Sequence, residues 1–483
     1  MSISKNGLLA IRLLSGILVA ALIYCINPFD VDDHALVVLA IAGLMITWWV
    51  AEALPMPVVA LLPLITFPLF KVSSLEEAAA PYANPVIFLF LGGFMLGLAI
   101  EKWHLHRRIA LNIIRITGTS GNRIVLGFIL ATGLLSMWLS NTATTMMMFP
   151  IALSVIHVMK ENNQGEGNLA NFSLTIMLAI AYASNIGGIA TIIGTPPNVA
   201  YVGYIQKKYN YDVDFINWML ICTPLAILLL GSLYLVMVKW LYPNRIKSNA
   251  ATKLHIDAEL LKLGPVSTQE KRVMLIFSLT AFLWITRGII NGLQSAVRLD
   301  DTMIAVFCAV LLFMCPAGKN SRGEDAILAW PDTSKMAWGI LLLFGGGLSL
   351  ADALENAGLI QQLGGWLGGF SGSLLVLVFI VTFVSLFISE VMSNVAQVIV
   401  FAPVVSALAD AAGINPLLLG IPMTLGASCA GMLPMGTPPN AIVFSSGMIR
   451  LRQMTTVGFV MNLVAVVLIT LFCYFLLPLL MKM

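Results

Sequence analysis

Ser140-Asn141-Thr142-Ala143-Thr144 is a polar, small-residued stretch set between two apolar runs, residues 124–139 and 146–159. A second copy, Ser393-Asn394-Val395-Ala396, stands in the C-terminal half. Each copy is followed downstream by the same five residues, Gly194-Thr195-Pro196-Pro197-Asn198 and Gly436-Thr437-Pro438-Pro439-Asn440. Taken singly, Ser-Asn-Thr between apolar runs reads as a surface turn, and Pro-Pro in an apolar helix reads as a kink. Both motifs recurring in matched order point instead to four pieces of one site.

The composition fixes the medium around that site. The chain is 59% hydrophobic and 10% charged, with a mean hydropathy of +0.93, and it carries many apolar windows long enough to span a bilayer. The fold class expected is an all-α polytopic membrane protein in contact with the lipid bilayer. The net charge of +3 is small and collects in certain loops, so it marks topology and excludes a nucleic-acid partner. Six cysteines are scattered through apolar segments without a C-x-x-C pair, which argues against a zinc site or a disulfide framework. His104 and His106, beside Arg107 and Arg108, read as a solvated basic loop and not as a metal centre. The N-terminal apolar run has no A-x-A exit before Cys25 and reads as an uncleaved first span.

Further out, the chain repeats itself. Leu89, Phe90, Gly92, Gly93, Glu101 and Leu105 match Leu343, Phe344, Gly346, Gly347, Glu355 and Leu359 at one constant offset. Ser140, Asn141, Ala143 and Pro150 match Ser393, Asn394, Ala396 and Pro403 with one residue of shift. The organisation expected is an N-terminal segment and first span over 1–33, repeat 1 over 34–241, a cytoplasmic linker over 242–272, and repeat 2 over 273–483. Repeat 1 holds a hairpin at about 122–159 and a broken helix at about 172–205; repeat 2 holds a hairpin at about 373–409 and a broken helix at about 416–448. The third span is expected over 54–70, and 102–123 in part as an amphipathic surface helix with Leu105, Ile109, Ile113 and Ile116 on one face. Placing 102–123, 242–272, 319–335 and 450–452 inside puts most basic residues and the N-terminus in the cytoplasm; Lys71, Lys207, Lys208, Arg298 and Lys482 remain outside. With each Ser-Asn stretch a re-entrant hairpin, about 11 spans result and the two repeats are inverted, a transporter pattern.

The motifs supply the chemistry. Pro196 and Pro197 have no N–H, so the carbonyls of Ile192 and Ile193 lose their helical donors, as do those of Pro434 and Met435 in the second copy. Such carbonyls need water, protein or a cation. Thr195 and Thr437 sit as N-caps with proline at the first helical position, so the restarted helices point free N–H groups into the break. Ser and Asn of each tip add hard oxygen ligands for a small cation, and the arm that follows offers N–H groups to an anion. Glu390 is expected either to fix the second hairpin or to touch the site, Glu52 to lie at an interface, and Gly92-Gly93 and Gly345-Gly346-Gly347 to serve as helix-packing or hinge glycines and not as ligand contacts.

Ser140-Asn141-Thr142, its copy at Ser393-Asn394 and the paired G-T-P-P-N segments resemble the divalent anion/sodium symporter (DASS) family over almost the whole chain. The resemblance implies a homodimer, a scaffold domain, and a transport domain that moves as an elevator. It implies one sodium site at Ser136, Ser140, Asn141 and Gly194 and another at Ser389, Ser393, Asn394 and Gly436. The substrate set it implies is Asn141, Thr142, Thr195, Asn394, Val395, Thr437 and Pro438. Val395 departs from the pattern, since a third-position Thr would complete the symmetry.

Electrostatics favour coupling to a cation independently. Stranding one ion in a low-dielectric site costs tens of kcal/mol in the Born limit, whereas a helix N-terminus returns only about 0.3–2 kcal/mol. No Lys, Arg or His occurs in the four motifs. A sodium ion at about 4 Å contributes on the order of 4 kcal/mol at an effective dielectric of about 20. The expectation is a multi-pass protein of the cell (inner) membrane, a sodium-coupled symporter importing C4-dicarboxylates such as succinate, malate or fumarate, with Na+ as co-transported ion and no organic cofactor. The alternatives are a tricarboxylate (citrate) or sulfate carrier, or a sodium-independent exchanger. No His accompanies Ser140 or Ser393 and no Asp pair lies within a span, so an intramembrane hydrolase is not indicated.

Overall fold

A helix is the one single-segment structure that satisfies all its backbone polar groups in lipid. In the computed structural model, which describes residues 5–161, 167–248, 250–294, 297–318, 324–367 and 373–480, ten helices are long and apolar enough to cross a membrane among the described residues. Five shorter apolar helices accompany them. Lys319 and Lys482 of the charge count, and part of the polar loop after Lys160, lie outside the described residues.

Several elements differ from the sequence expectation for local reasons. Residues 54–70 do not form one span but two short helices, Met56–Val59 and Pro63–Leu69. Pro63 opens the second and has no N–H to offer the Val59 carbonyl, which accepts the Leu62 N–H at 3.0 Å instead, while the Ala60 carbonyl accepts the Tyr82 hydroxyl. The surface helix Leu105–Thr117 is present but buries Leu105, His106, Ala110, Leu111 and Ile114. Ile116 points outward, exposed. His106 is thus not solvated: one ring nitrogen lies 3.1 Å from the Ile100 carbonyl, and burial pushes its imidazole down to about 4. Within 242–272, residues rich in Ala, Leu, Lys and Glu form the helix Ala250–Lys262. Ion pairs fasten these surface elements together, Arg107 to Glu259 at 2.5 Å and Arg108 to Glu270 at 2.7 Å.

The helices that matter for the site come in four groups. Gly121–Ser136 and Asn141–Glu161 flank the first Ser-Asn stretch, and Leu374–Ile388 and Asn394–Ala411 flank the second. Leu169–Gly188 and Pro196–Tyr209 flank the first proline break, and Leu417–Ser428 and Pro438–Phe444 the second. The arms pack crosswise between the halves. Asn141–Glu161 lies on Pro438–Phe444, and Asn394–Ala411 lies on Pro196–Tyr209.

Glycines permit the closest approaches. A methyl at Gly92 would stand 2.7 Å from the Ala305 backbone, and one at Gly346 would stand 2.1 Å from the Ala60 carbonyl oxygen. Both positions therefore require glycine for packing.

Candidate functional site: two polar tips and two broken helices

Each break begins where a helix runs out of donors. Leu169–Gly188 stops, seven residues run without α-helical structure, and Pro196 restarts the chain as the first residue of the next helix. Thr195 holds extended backbone at the N-cap position but makes no capping bond, whereas Thr437 accepts the Asn440 N–H. The asparagine that ends each G-T-P-P-N motif reaches back over its own break. Asn198 Nδ2 donates to the Thr191 carbonyl at 2.8 Å and lies 3.4 Å from those of Gly188 and Ile189. Asn440 Nδ2 does the same for Leu433 at 3.1 Å and Ala430 at 3.5 Å. Carbonyls of the unwound backbone are therefore partly met by protein, at positions other than Ile192, Ile193, Pro434 and Met435.

Gly188 and Gly194 face each other across the first break. A methyl on Gly194 would stand 2.4 Å from the Gly188 carbonyl oxygen, and one on Gly188 would stand 2.4 Å from Asn141 Oδ1. Backbone cannot yield as a side chain can. Gly194→Ala is therefore expected to lower the unfolding temperature by several degrees and to cost most of the uptake, as overpacking of about 1–3 kcal/mol would. Unchanged melting and uptake of purified Gly194→Ala would show that the break has slack.

The first tip meets this break directly. Ser140 Oγ caps the second arm through the Ala143 N–H at 3.3 Å. The Ser136 hydroxyl donates to Asn141 Oδ1 at 2.8 Å, and Asn141 Nδ2 donates to Asn185 Oδ1 at 3.4 Å and Thr195 Oγ1 at 3.5 Å. Thr142 is half-buried and its hydroxyl makes no hydrogen bond among the described residues.

At the second tip the Ser389 hydroxyl lies 2.7 Å from Asn394 Oδ1 and 2.5 Å from the Ala427 carbonyl. Ser393 makes no capping bond. Val395 is half-buried and packs into the apolar core. The second break is contacted by Glu390. Its carboxylate accepts the N–H groups of Gly431, Met432 and Leu433 at 2.8–3.1 Å and the Asn462 amide at 2.7 Å. Gly436 lies beside it. The two halves are joined by Asn185, which accepts from Asn141 and donates to Thr437 Oγ1 at 3.1 Å.

Chemically the site is oxygen-rich and lacks basic side chains. Ser140, Asn141, Thr142, Ser393, Asn394 and Val395 are half-buried and Pro438 is exposed, while Gly194, Thr195, Gly436 and Thr437 are buried. No group of three or more His, Cys, Asp or Glu among the described residues could hold a metal ion, so a cation here would be held by hydroxyl, amide and backbone oxygens, which suit hard ions.

The model of the sodium:sulfate symporter transmembrane region matches residues 8–483 of the chain. The chain belongs to the sodium:sulfate symporter family. Two relatives bear the name sodium-dependent dicarboxylate transporter SdcS. The Staphylococcus aureus protein (strain USA300) is 40% identical over 457 residues, covering 94% of this chain and 88% of its own. The Staphylococcus saprophyticus protein is 41% identical with the same coverage. Among solved structures, this chain is similar to the Alcanivorax borkumensis YdaH transporter, with a TM-score of 0.59 at 14% identity over 85% of this chain and 89% of that one. Neisseria gonorrhoeae MtrF gives a TM-score of 0.54 at 14% identity over 86% and 84%. Those two likenesses concern the fold alone.

Sequence reading passed over Asn185, although Ser184-Asn185 is a further Ser-Asn pair, buried in a mostly apolar helix. An amide in such a run needs a partner. That demand was the available signal.

Proposed function

We propose that this protein is a sodium-coupled symporter that imports C4-dicarboxylates such as succinate, malate or fumarate across the cell (inner) membrane, with its N-terminus in the cytoplasm. Sodium ions are its co-transported cargo, held at Ser136, Ser140, Asn141 and Gly194 and at Ser389, Ser393, Asn394 and Gly436. The substrate carboxylates lie against Asn141, Thr142, Thr195, Asn394, Val395, Thr437 and Pro438. The observation that carries this reading is the absence of any basic side chain among these oxygen-bearing residues. A dianion entering such a place needs a counter-charge, and a co-bound sodium ion is the one the available oxygens can hold. The names of the staphylococcal relatives agree with that chemistry.

The two halves of the chain are read as inverted repeats with re-entrant hairpins at the two tips, working as a homodimer by elevator motion. Proteoliposomes loaded without sodium supply the test. Succinate uptake is expected to require an inward sodium gradient and to fall to background when choline replaces sodium. Uptake indifferent to sodium would favour an exchanger, and competition by citrate or sulfate stronger than by malate would move the substrate class.

A further inference from the structure

Two helices meet on a seam whose polar contacts are unevenly placed. The helix Trp338–Asn356 is bolted to the N-terminal segments by directional contacts, with the Ser349 hydroxyl donating to the Ala78 carbonyl at 3.0 Å and Gly346 resting on the backbone of Ala60. The helix Pro196–Tyr209 is bolted to a second body, formed with the helices Asn394–Ala411 and Leu417–Ser428. Tyr201 donates to the Pro416 carbonyl at 3.2 Å, Tyr209 donates to Asp410 at 2.8 Å, and Lys208 pairs with Asp410 at 3.5 Å.

Around this seam the lining is largely apolar, with Ala200, Gly203, Gly347, Leu348 and Ala351 beside the larger Tyr204 and Phe344 and the polar Asn84, around a void of only about 10 Å3. At one end this dry seam opens into a polar cavity of about 330 Å3 that holds Lys207, Lys208, Asp352 and Glu355. Among the described residues, the polar link across the seam is Lys207 with Asp352. Adjacent lysines thus do different things: Lys208 stays within its own body, and Lys207 reaches over.

Apolar contact is non-directional and lets two faces slide with little change in buried area. A close ion pair has one register. We propose that Lys207 and Asp352 form a latch that holds the two bodies in one register and must open in each transport cycle. The inference rests on the symporter reading above. When the latch opens, Lys207 is freed in the polar cavity, where an incoming carboxylate is its natural partner.

Two readouts test it. In proteoliposomes, K207C/D352C is linked with a short bismaleimide, with K207C and D352C treated alike as controls and linkage scored by mass. Sodium-driven succinate uptake is expected to fall by at least about tenfold in the linked protein and to persist in both treated single variants. Uptake unchanged after linking, or a double variant that forms no link, overturns the latch. The second readout does not depend on the substrate. Labelling of A200C by a membrane-impermeant thiol reagent is expected to be at least about tenfold faster in a K207Q background, because the seam opens more often. Equal labelling rates overturn the latch even if succinate is not carried, whereas faster labelling without succinate uptake supports it and rejects the substrate reading alone.

Discussion

Replacing Asn141 by alanine is expected to bring sodium-driven uptake down by more than about a hundredfold, to background, with a fall of several degrees in unfolding temperature. Asn141 is the one side chain that takes the Ser136 hydroxyl on its oxygen and offers its nitrogen to both Asn185 and Thr195. Its loss orphans a hydroxyl in the hairpin and an amide oxygen on the neighbouring helix, each worth about 1–3 kcal/mol when buried without a partner. It also uncouples the first tip from Thr437, because Asn185 carries the link onward. Asn394→Ala is expected to have a similar effect on uptake for a smaller local cause, since among the described residues the Asn394 side chain is tied only to Ser389. Radiolabelled uptake at matched protein density is the measurement, and wild-type rates in either variant would take that asparagine out of the site.

The helical class and the family were legible because both rest on pattern. Apolar runs in lipid have almost no alternative to helix, and a proline pair inside such a run forces a break wherever it stands. What the pattern could not express is who satisfies the break. Asn198 and Asn440 reach back over carbonyls seven to ten residues away, and such a reach depends on how the unwound backbone curls. The third apolar run misled because its length suggests a span while Pro63 and the Tyr82 hydroxyl stabilise two short helices. The buried face of Leu105–Thr117 was misjudged because isoleucines at helical spacing marked a stripe, yet Ala110, Leu111 and His106 face the protein. Tertiary packing chose among amphipathic faces that periodicity alone left nearly equivalent.

Glu390 separates two roles that sequence left open. Glu390 is 4% exposed, and among the described residues its carboxylate accepts from the three backbone N–H groups of residues 431–433 and the Asn462 amide. Gln397 and Ser385 separately tie the two arms of the second hairpin to each other. An acid held by backbone donors positions the second break as an anion would at a helix start. Glu390→Gln keeps the shape but turns one acceptor oxygen into a donor that confronts N–H groups with no water to turn to. Two such clashes and the lost charge cost about 3–5 kcal/mol. A fall of several degrees in unfolding temperature, followed through tryptophan fluorescence, is therefore expected, together with loss of uptake. Repeating the melt with and without sodium tells position from ligation. A positioning carboxylate leaves the stabilisation by sodium in place on a lowered baseline, because the proposed sodium ligands at the tips are untouched. A carboxylate that ligates sodium itself would lose that increment when neutralised, and the second site would then have to be redrawn around Glu390 in place of Ser393.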